Sequence, residues 1–323
     1  MVDTKDFARL VLDATAQIPK GMVSTYGDIA NALGDVASSR TVGKILAWNP
    51  RPIVVPCHRV VYSNGEVGWY SGKGRGNERK IELLTKEGVR IKDGKVQDFG
   101  AVRFADFKVE PMLKELREEQ EILRRKVIED DRFGELRYVA GVDVSYADDD
   151  AFAAMVVYDW TKNRIVERMT MKGKADFPYI PSYLAFREIP VIADLIKDQK
   201  DTIFLIDGQG VLHPRGLGIA SHIGVALDVP TIGVAKSLLS GTVEDDKLGE
   251  SPIRLDDRKR GYFLRGPGRH PLYVSVGHRV SLGSAVDICR RFLVEKGPDP
   301  MREAHRLANS TRKSALGPGE GKE

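Results

Sequence analysis

The N-terminal part of the chain repeats apolar residues at helical spacing, with polar residues between them. This pattern predicts a helix over about Asp6–Gln17 and a second helix that begins at Thr25, whose side chain can cap it. After a break at Gly34–Ser38, a third helix is predicted over about Ser39–Ala47. Two short helices joined by a tight turn, with basic residues near the start of the second, form a helix-turn-helix pattern.

The middle of the chain passes from an irregular stretch to a highly charged one. The segment Lys95–Phe107 has no clear periodicity and is predicted to be a linker. The segment Glu110–Asp130 is densely charged and carries apolar residues along it. This composition favours a solvated amphipathic helix packed on the domain that follows.

From Tyr138 onward, the pattern predicts a sheet protein with covering helices. Three strand-like runs with short connections come first, at Tyr138–Tyr146, Ala151–Asp159 and Arg164–Met171. Helices and strands then follow at Tyr183–Lys197, Thr202–Ile206, Leu217–Leu227, Thr231–Ala235, Tyr262–Arg265, Leu272–Val276 and Leu282–Glu295. Three antiparallel strands followed by alternating helix and strand is the order of an RNase H-like sheet.

Length and composition agree with a folded protein of two domains. The 323 residues suffice for two domains, and 42% apolar residues argue against disorder. The apolar runs are too short for a membrane helix, and the N-terminus lacks the apolar core of a signal peptide, so we expect a cytoplasmic protein with no membrane partner. The expected organisation is a first domain over residues 1–97, a linker over 98–107, a second domain over 108–312 and a flexible tail over 313–323.

Charge is unevenly distributed between these two parts. Residues 1–97 hold 15 Lys and Arg against 10 Asp and Glu, whereas the remaining residues hold 35 against 36. A basic first domain is compatible with a polyanionic partner, because neutralising phosphates releases counterions.

A cysteine beside a histidine is the first candidate for chemistry. Cys57 and His58 lie in the motif Pro56–Val60, and a cysteine is nucleophilic only as the thiolate, which a neighbouring base can generate. By itself the motif fits a buried structural cysteine in a strand better. The context changes this interpretation, because four further motifs surround it in one order: Val23–Gly27, Ser39–Gly43, Asn49–Ile53 and Ser63–Gly65.

Over about residues 5–92, these motifs resemble the active-site domain of the O6-alkylguanine-DNA alkyltransferases. The resemblance implies that Cys57 accepts the alkyl group irreversibly, while His58 takes the thiol proton through a water and Glu87 orients the imidazole. It also implies that Tyr26 rotates the target nucleotide out and that Arg40 fills the gap in the stack. The other implied roles are a turn held by Asn49 and a guanine pocket lined by Val60, Tyr70 and Ser71. No cofactor is implied for this domain.

The sequence departs from the family pattern after the pocket. The stretch Ser71–Lys80 is longer and more basic than the usual pocket loop. A related subfamily binds alkylated DNA without a cysteine, and Cys57 argues against membership of that group.

Three carboxylates on or beside predicted elements form a second candidate site. Asp143 lies inside an apolar strand, where a carboxylate is costly unless it is paired or metal-bound. Asp207 follows a strand, and Glu188 lies near the start of a helix. If they converge, their oxygens suit Mg²⁺, which in phosphodiester cleavage activates water and neutralises the leaving oxygen. Salt-bridged or helix-capping acids are the alternative interpretation.

The motifs around these carboxylates resemble endonuclease V over about residues 108–312. They include Phe177–Pro181, Asp207–Gly210, His213–Gly216 and Pro230–Lys236. That family nicks DNA near deaminated bases, chiefly deoxyinosine, at the second phosphodiester bond on the 3′ side.

The resemblance to endonuclease V also implies individual roles. The implied metal-binding catalytic acids are Asp143, Glu188 and Asp207, with His305 as a further metal-shell residue and Mg²⁺ or Mn²⁺ as the ion. Tyr179 is implied to separate the strands, and phosphate contacts are implied for His213 and Lys236. Backbone approach to the flipped base is implied at Gly208 and Gly210. Ser182 stands where glycine usually follows the segment Phe177–Pro181.

The sequence therefore predicts an α/β and α+β two-domain protein, in which an alkyltransferase active-site domain with a helix-turn-helix precedes an RNase H-like endonuclease V fold. The predicted function is bifunctional DNA repair, by a methylated-DNA-protein-cysteine methyltransferase joined to a deoxyribonuclease V. The expected partner is double-stranded DNA containing O6-alkylguanine or deoxyinosine, with single-stranded DNA and RNA left open, and a monomer is expected. Two alternatives are a lesion-binding module that transfers nothing and an inosine-directed ribonuclease.

Overall fold

The computed structural model describes residues 6–70, 76–247, 249–294 and 297–317. The chain divides into two compact units. The first comprises residues 1–118 and 177–181, and the second comprises residues 119–176 and 182–323. No helix within the described ranges is both long and apolar enough to cross a membrane.

The first unit is a small mixed domain of short elements. In chain order these are α1 (Phe7–Ala16), β1 (Ser24–Thr25), α2 (Tyr26–Ala32), α3 (Ser39–Ala47), β2 (Val60–Val61), α4 (Glu78–Lys86), β3 (Ile91–Lys92), β4 (Lys95–Val96) and α5 (Phe99–Val102). The three helices predicted at the start of the chain are confirmed. At α2, the Thr25 hydroxyl accepts from the Asp28 amide (2.9 Å) and the Asp28 carboxylate accepts from the Thr25 amide (3.1 Å), so a capping box fixes where the helix begins.

The segment expected to be a linker, residues 98–107, instead packs on the first unit. The Val23 amide donates to the Val102 carbonyl (2.8 Å), and the Phe104 amide donates to the Val23 carbonyl (2.7 Å). Arg103 also pairs with the buried carboxylate of Asp28. These partners are distant in sequence, so local periodicity carries no sign of them. The first unit extends to Glu118 rather than ending at 97, and α6 (Met112–Arg124) crosses the point where the chain passes to the second unit.

The second unit is built on a nine-stranded sheet. Its elements are β5 (Tyr138–Ala147), β6 (Asp150–Asp159), β7 (Arg164–Lys174), α7 (Leu184–Ile196), β8 (Thr202–Asp207), α8 (Ile219–Leu227), β9 (Thr231–Ala235), β10 (Thr242–Val243), β11 (Glu250–Leu255), β12 (Arg258–Leu264), β13 (Leu272–His278), α9 (Leu282–Val294) and α10 (Pro300–Leu316). The strand order is β10-β11-β12-β13-β9-β8-β5-β6-β7. The central strands β5, β8 and β9 are parallel, whereas the flanking pairs are antiparallel. The predicted sheet with its covering helices is confirmed.

Alternate residues of the central strands point to opposite faces of the sheet, and helices cover the apolar residues on both faces. On β5, Ala140 belongs to the apolar cluster beneath α7 and α8, whereas Val139 belongs to the cluster that contains residues of α9. Helix α10 crosses β5, and the close approach requires Gly141, where any Cβ would collide with the Pro300 carbonyl. The charged sequence of α10 concealed this helix from the pattern analysis. The predicted flexible tail over 313–323 is accordingly wrong at its start, since the helix continues to Leu316.

Backbone strain occurs at the position where the sequence departs from the usual glycine. Ser182 has φ of +69°, the left-handed region in which a Cβ clashes with the backbone. Its carbonyl accepts from Gln120 Nε2 (2.8 Å), which helps to hold the conformation. A glycine would adopt this backbone without the clash.

We expect Ser182→Gly to raise the free energy of unfolding by roughly 0.5–1 kcal/mol. The glycine removes the backbone clash, and the greater conformational entropy of the unfolded glycine variant offsets only part of this stabilisation. Thermal unfolding of the full chain measures this effect. Ser182→Ala is the matched control, since it keeps the Cβ and should give no gain. A gain of the same size in the alanine variant would show that backbone strain is not the cause.

Candidate active sites

The first candidate site is built on the loop that carries Cys57. This residue begins a turn of 3₁₀ helix over Cys57–Arg59, and its side chain is half-buried. Asn49 Nδ2 contacts Cys57 Sγ (3.1 Å) and donates to the Val55 carbonyl (2.9 Å). Asn49 therefore ties the loop on both sides of Pro56 and fixes the position of the sulfur.

Behind the cysteine lies a buried acid–base pair. His58 Nε2 is 3.0 Å from Glu87 Oε1, while His58 Nδ1 is buried and has no hydrogen-bond partner among the residues that the structure describes. Arg59 holds the same carboxylate through two hydrogen bonds of 2.8 Å. Burial opposes ionisation of Glu87, but the hydrogen bonds from Arg59 and His58 outweigh it and lower the pKa of Glu87 to about 2. Burial also lowers the pKa of His58, against the attraction of Glu87, so the imidazole is held neutral as a base.

A cavity of about 760 Å³ opens onto the sulfur. Predicted residues that line it are Tyr26, Arg40, Cys57 and Tyr70. Burial is the main cause that raises the pKa of Tyr26 to about 12, so its hydroxyl is a hydrogen-bond donor near neutral pH. Arg40 lies on α3 with an exposed side chain. Ser71, also predicted for this pocket, lies outside the described residues.

Sequence reasoning missed Lys80, which also lines the cavity. Its side chain is 1% exposed, and its ammonium donates to the Val60 carbonyl (2.6 Å). Burial lowers the pKa of Lys80 to about 8, while the neighbouring Cys57 acts in the opposite direction. A lysine in a charged helix gives no sequence signal of burial, because the sequence pattern shows the charge of the side chain and not the segment of the chain that packs against it.

The second candidate site lies where β5 and β8 run side by side. Their parallel register pairs Val142 with Ile206, so Asp143 and Asp207 follow as neighbours on adjacent strands. His305 of α10 joins them, with Nδ1 2.7 Å from Asp143 Oδ2. Ligand atoms of these three residues lie within 4.8 Å of one another. Burial and the charge of Asp207 raise the pKa of Asp143, although His305 opposes this.

The two carboxylates fit a divalent cation. Lys236 Nζ donates to Asp207 Oδ2 (2.5 Å), and His305 occupies Oδ2 of Asp143. Among the described residues, Oδ1 of either carboxylate has no protein hydrogen bond. Two neighbouring carboxylates that each keep a bare oxygen are the hard donors preferred by Mg²⁺ and Mn²⁺.

Glu188 lies near this cluster but is not part of it. It is partly buried on α7 and accepts from the Tyr146 hydroxyl (2.9 Å), and its oxygens are not among the grouped ligand atoms. The pKa of Glu188 is raised to about 8, mainly by burial. The negative charges of Asp143 and Asp207 also raise this pKa, whereas the hydrogen bond from Tyr146 lowers it. Of the three acids, Asp143 and Asp207 lie together with His305, whereas Glu188 lies outside this group but close enough for both acids to raise its pKa.

Other residues predicted for this site lie in different surroundings. His213 is buried and its Nδ1 accepts from the Arg215 amide (3.2 Å), and burial lowers the pKa of His213 to about 4. A Cβ at Gly208 would collide with Ile219, and one at Gly210 would collide with the Val276 carbonyl. The two glycines are thus required for packing within the protein, whatever further role they have. Tyr179 is 60% exposed.

Comparison with known proteins decides the family. The model of the endonuclease V family matches residues 121–306, and the model of the 6-O-methylguanine DNA methyltransferase DNA-binding domain matches residues 6–89. A bifunctional methyltransferase/endonuclease of Picrophilus torridus is 36% identical over 300 residues, which cover 93% of this chain and 95% of that protein. The chain belongs to the bifunctional methyltransferase/endonucleases.

Two further relatives support this assignment. The bifunctional methyltransferase/endonuclease of Thermoplasma volcanium is 37% identical, over 94% of this chain and 89% of that protein. The crystal structure of Ciona intestinalis endonuclease V, in complex with DNA containing an inosine followed by a ribo-adenosine, matches with a TM-score of 0.57 and 32% identity. That match covers 63% of this chain and 98% of the Ciona chain. The protein is thus a DNA-repair enzyme with a methyltransferase domain and an endonuclease domain.

We expect Glu87→Gln to destabilise the methyltransferase domain at neutral pH and progressively less in acid. The pKa of Glu87 is about 2 in the folded protein against an ordinary 4.5, so its contribution is fully present above about pH 4.5 and is lost as the pH falls towards 2. Urea unfolding of the full chain at pH 7 and pH 3 measures the difference from wild type. Glu66→Gln, an exposed carboxylate in the same unit, is the control and should show no such pH dependence.

Proposed function

We propose that the methyltransferase domain transfers the alkyl group of O6-alkylguanine in DNA to Cys57 and is consumed in a single turnover. The observation that carries this proposal is the arrangement of Cys57, His58 and Glu87 beneath an open cavity. In the reaction, Sγ forms a bond to the alkyl carbon while the bond between that carbon and guanine O6 breaks. The product is a thioether, and guanine leaves with the electron pair.

Each neighbouring group has one part in this reaction. His58 takes the thiol proton through a water at its unpartnered Nδ1, and Glu87 holds the imidazole in the required orientation. Tyr26, protonated and facing the cavity, donates a hydrogen bond to N3 of the leaving guanine. The base must leave the duplex to reach the sulfur, and the exposed Arg40 fills the gap. Tyr70 lines the cavity and is proposed as part of the guanine pocket, whereas the Val60 side chain is fully buried and is not among the residues that line it.

For the endonuclease domain, we propose nicking of DNA at the second phosphodiester bond 3′ to deoxyinosine. Asp143 and Asp207 would hold Mg²⁺ or Mn²⁺, and the bound ion would supply an activated water and stabilise the leaving oxygen. Lys236 orients Asp207 and contributes positive charge near the scissile phosphate. Glu188 is the third catalytic acid and lies beside the Asp143–Asp207 pair. Tyr179, which is exposed in the segment Phe177–Pro181, separates the DNA strands beside the lesion. His213 contacts a DNA phosphate, and Gly208 and Gly210 allow the backbone to approach the flipped base.

The inosine-containing DNA bound by the Ciona relative supports this choice of lesion. The DNA in the same complex carries a ribo-adenosine after the inosine, which favours testing RNA as the second candidate substrate. A lesion-binding module without transfer is the competing proposal for the first domain. We further propose that the two domains act independently, as a cytoplasmic monomer.

We expect the two chemistries to separate by mutation. Cys57→Ser should abolish transfer, because a serine hydroxyl is not ionised by a neighbouring histidine as readily as a thiol, and should nick inosine DNA at the wild-type rate. Asp207→Asn should lose nicking but still gain the mass of one methyl group on Cys57 after incubation with O6-methylguanine DNA. Intact-protein mass spectrometry and a gel nicking assay give both readouts. A wild-type protein that binds this DNA without a mass increase would support the lesion-binding module instead.

We expect nicking to require a divalent cation and to prefer inosine in DNA. Losing the cation leaves the neighbouring Asp143 and Asp207 charges uncompensated, so EDTA should stop cleavage and Mg²⁺ or Mn²⁺ should restore it. Substrates with inosine, xanthine or uracil in DNA, and inosine in RNA, are compared on sequencing gels. Faster cleavage of the RNA would establish the inosine-directed ribonuclease instead, and undiminished nicking in EDTA would contradict the metal mechanism.

A further inference from the structure

A run of contacts fixes α10 along β5 in the endonuclease domain. Pro300 lies over Gly141, His305 contacts Asp143, and Asn309 contacts Ser145. From Asp143 to Ser145 the strand advances two residues, about 6.6 Å, and from His305 to Asn309 the helix advances four residues, about 6 Å, so the two spacings stay in step over these two contacts. This register places His305 against Asp143 and Asn309 against Ser145, two residues of β5 that point to the same face of the sheet.

The hydrogen bonds of Asn309 determine which way its amide faces. Asn309 Nδ2 is 2.9 Å from the His305 carbonyl, which can only accept. Asn309 Oδ1 is 3.0 Å from the hydroxyl of Ser145, which can donate to it. The reversed amide would set two acceptors against each other at the carbonyl, so Nδ2 is the atom that faces His305.

The amide orientation in turn determines the tautomer of the imidazole. Asn309 Nδ2 also lies 3.2 Å from His305 Nε2 and carries a second hydrogen, so Nε2 is the acceptor. The ring proton of the neutral imidazole is therefore on Nδ1, which faces Asp143 Oδ2 at 2.7 Å. Both ring nitrogens are engaged by protein groups.

From this chain of contacts, we propose that Asn309, backed by Ser145, is a positioning residue of the nuclease that holds His305 as a hydrogen-bond donor to Asp143. On this proposal His305 is not a metal ligand. It orients the Asp143 carboxylate so that Oδ1 is the oxygen left for the cation, as the hydrogen-bonding partners of ligating carboxylates do in metal sites. The inference rests on the proposed nuclease function for its activity readout but not for its spectroscopic one.

The tautomer is tested by ¹⁵N NMR of the full chain labelled at histidine nitrogens, with His305 assigned from the signals lost in His305→Gln. We expect Nδ1 protonated and Nε2 unprotonated in the wild type. Asn309→Asp replaces the donor with an acceptor and should move the proton to Nε2 or add a second proton. Ser310→Ala, on the same helix with its hydroxyl bonded only to the Leu307 carbonyl, should leave the His305 signals unchanged. A wild-type Nε2–H tautomer, or no response to Asn309→Asp, would overturn the proposal.

The metal role is tested by pulsed EPR of the Mn²⁺-loaded full chain. We expect no coupling from a directly bound histidine nitrogen, and a ¹⁴N coupling that disappears in His305→Gln would overturn the proposal. In the nicking assay, Asn309→Asp should lower the rate at least about tenfold, while Ser310→Ala should match the wild type. If the wild type does not nick, the proposed function fails, yet the NMR and EPR results still decide the role of Asn309.

Discussion

A charged group removed from water must be matched by an opposite charge or by hydrogen bonds, and both sites are organised by this requirement. In the methyltransferase domain, the carboxylate of Glu87 is matched twice, by the guanidinium of Arg59 and the imidazole of His58. The ammonium of Lys80, fully inside the same domain, is matched by a backbone carbonyl. In the endonuclease domain, Asp143 and Asp207 are only partly matched. Charge compensation is therefore complete for Glu87 and Lys80 in the methyltransferase site and incomplete for Asp143 and Asp207 in the endonuclease site.

In the methyltransferase site, the charges of Glu87 and Lys80 are matched by protein groups, and Cys57 lines the cavity. The loop before Cys57 is held firmly enough to keep Ile53 at φ of +77°, which a β-branched residue rarely adopts. Asn49 bridges this loop from one side of Pro56 to the other, so the strain is offset by bonds that also position Cys57.

The endonuclease site, by contrast, groups two carboxylates with His305 in an arrangement that could hold a metal ion. Parallel pairing of β5 with β8 forces two carboxylates to be neighbours, and one lysine does not neutralise both. Burial and the repulsion from Asp207 raise the pKa of Asp143, and a divalent ion would relieve the repulsion. On our proposal, α10 sets which oxygen of Asp143 is left for the ion, because His305 contacts Oδ2 and is itself held by Asn309. The precision of the site thus comes from a helix and a strand whose repeats stay in step.

The sequence by itself determined the local structure and the identity of the reacting groups. Thr25 and Asp28 specify the start of α2 because a capping box is a contact across three residues, and the apolar run around Asp143 predicts β5 because the residue types that favour a strand are read locally. The motifs around Cys57 and Asp207 identified both families. Only the tertiary structure decided that Glu188 stands apart from the carboxylate pair and that Asn309 fixes His305. Those outcomes depend on contacts between segments far apart in sequence, where direction and distance are set by packing and not by the order of residues.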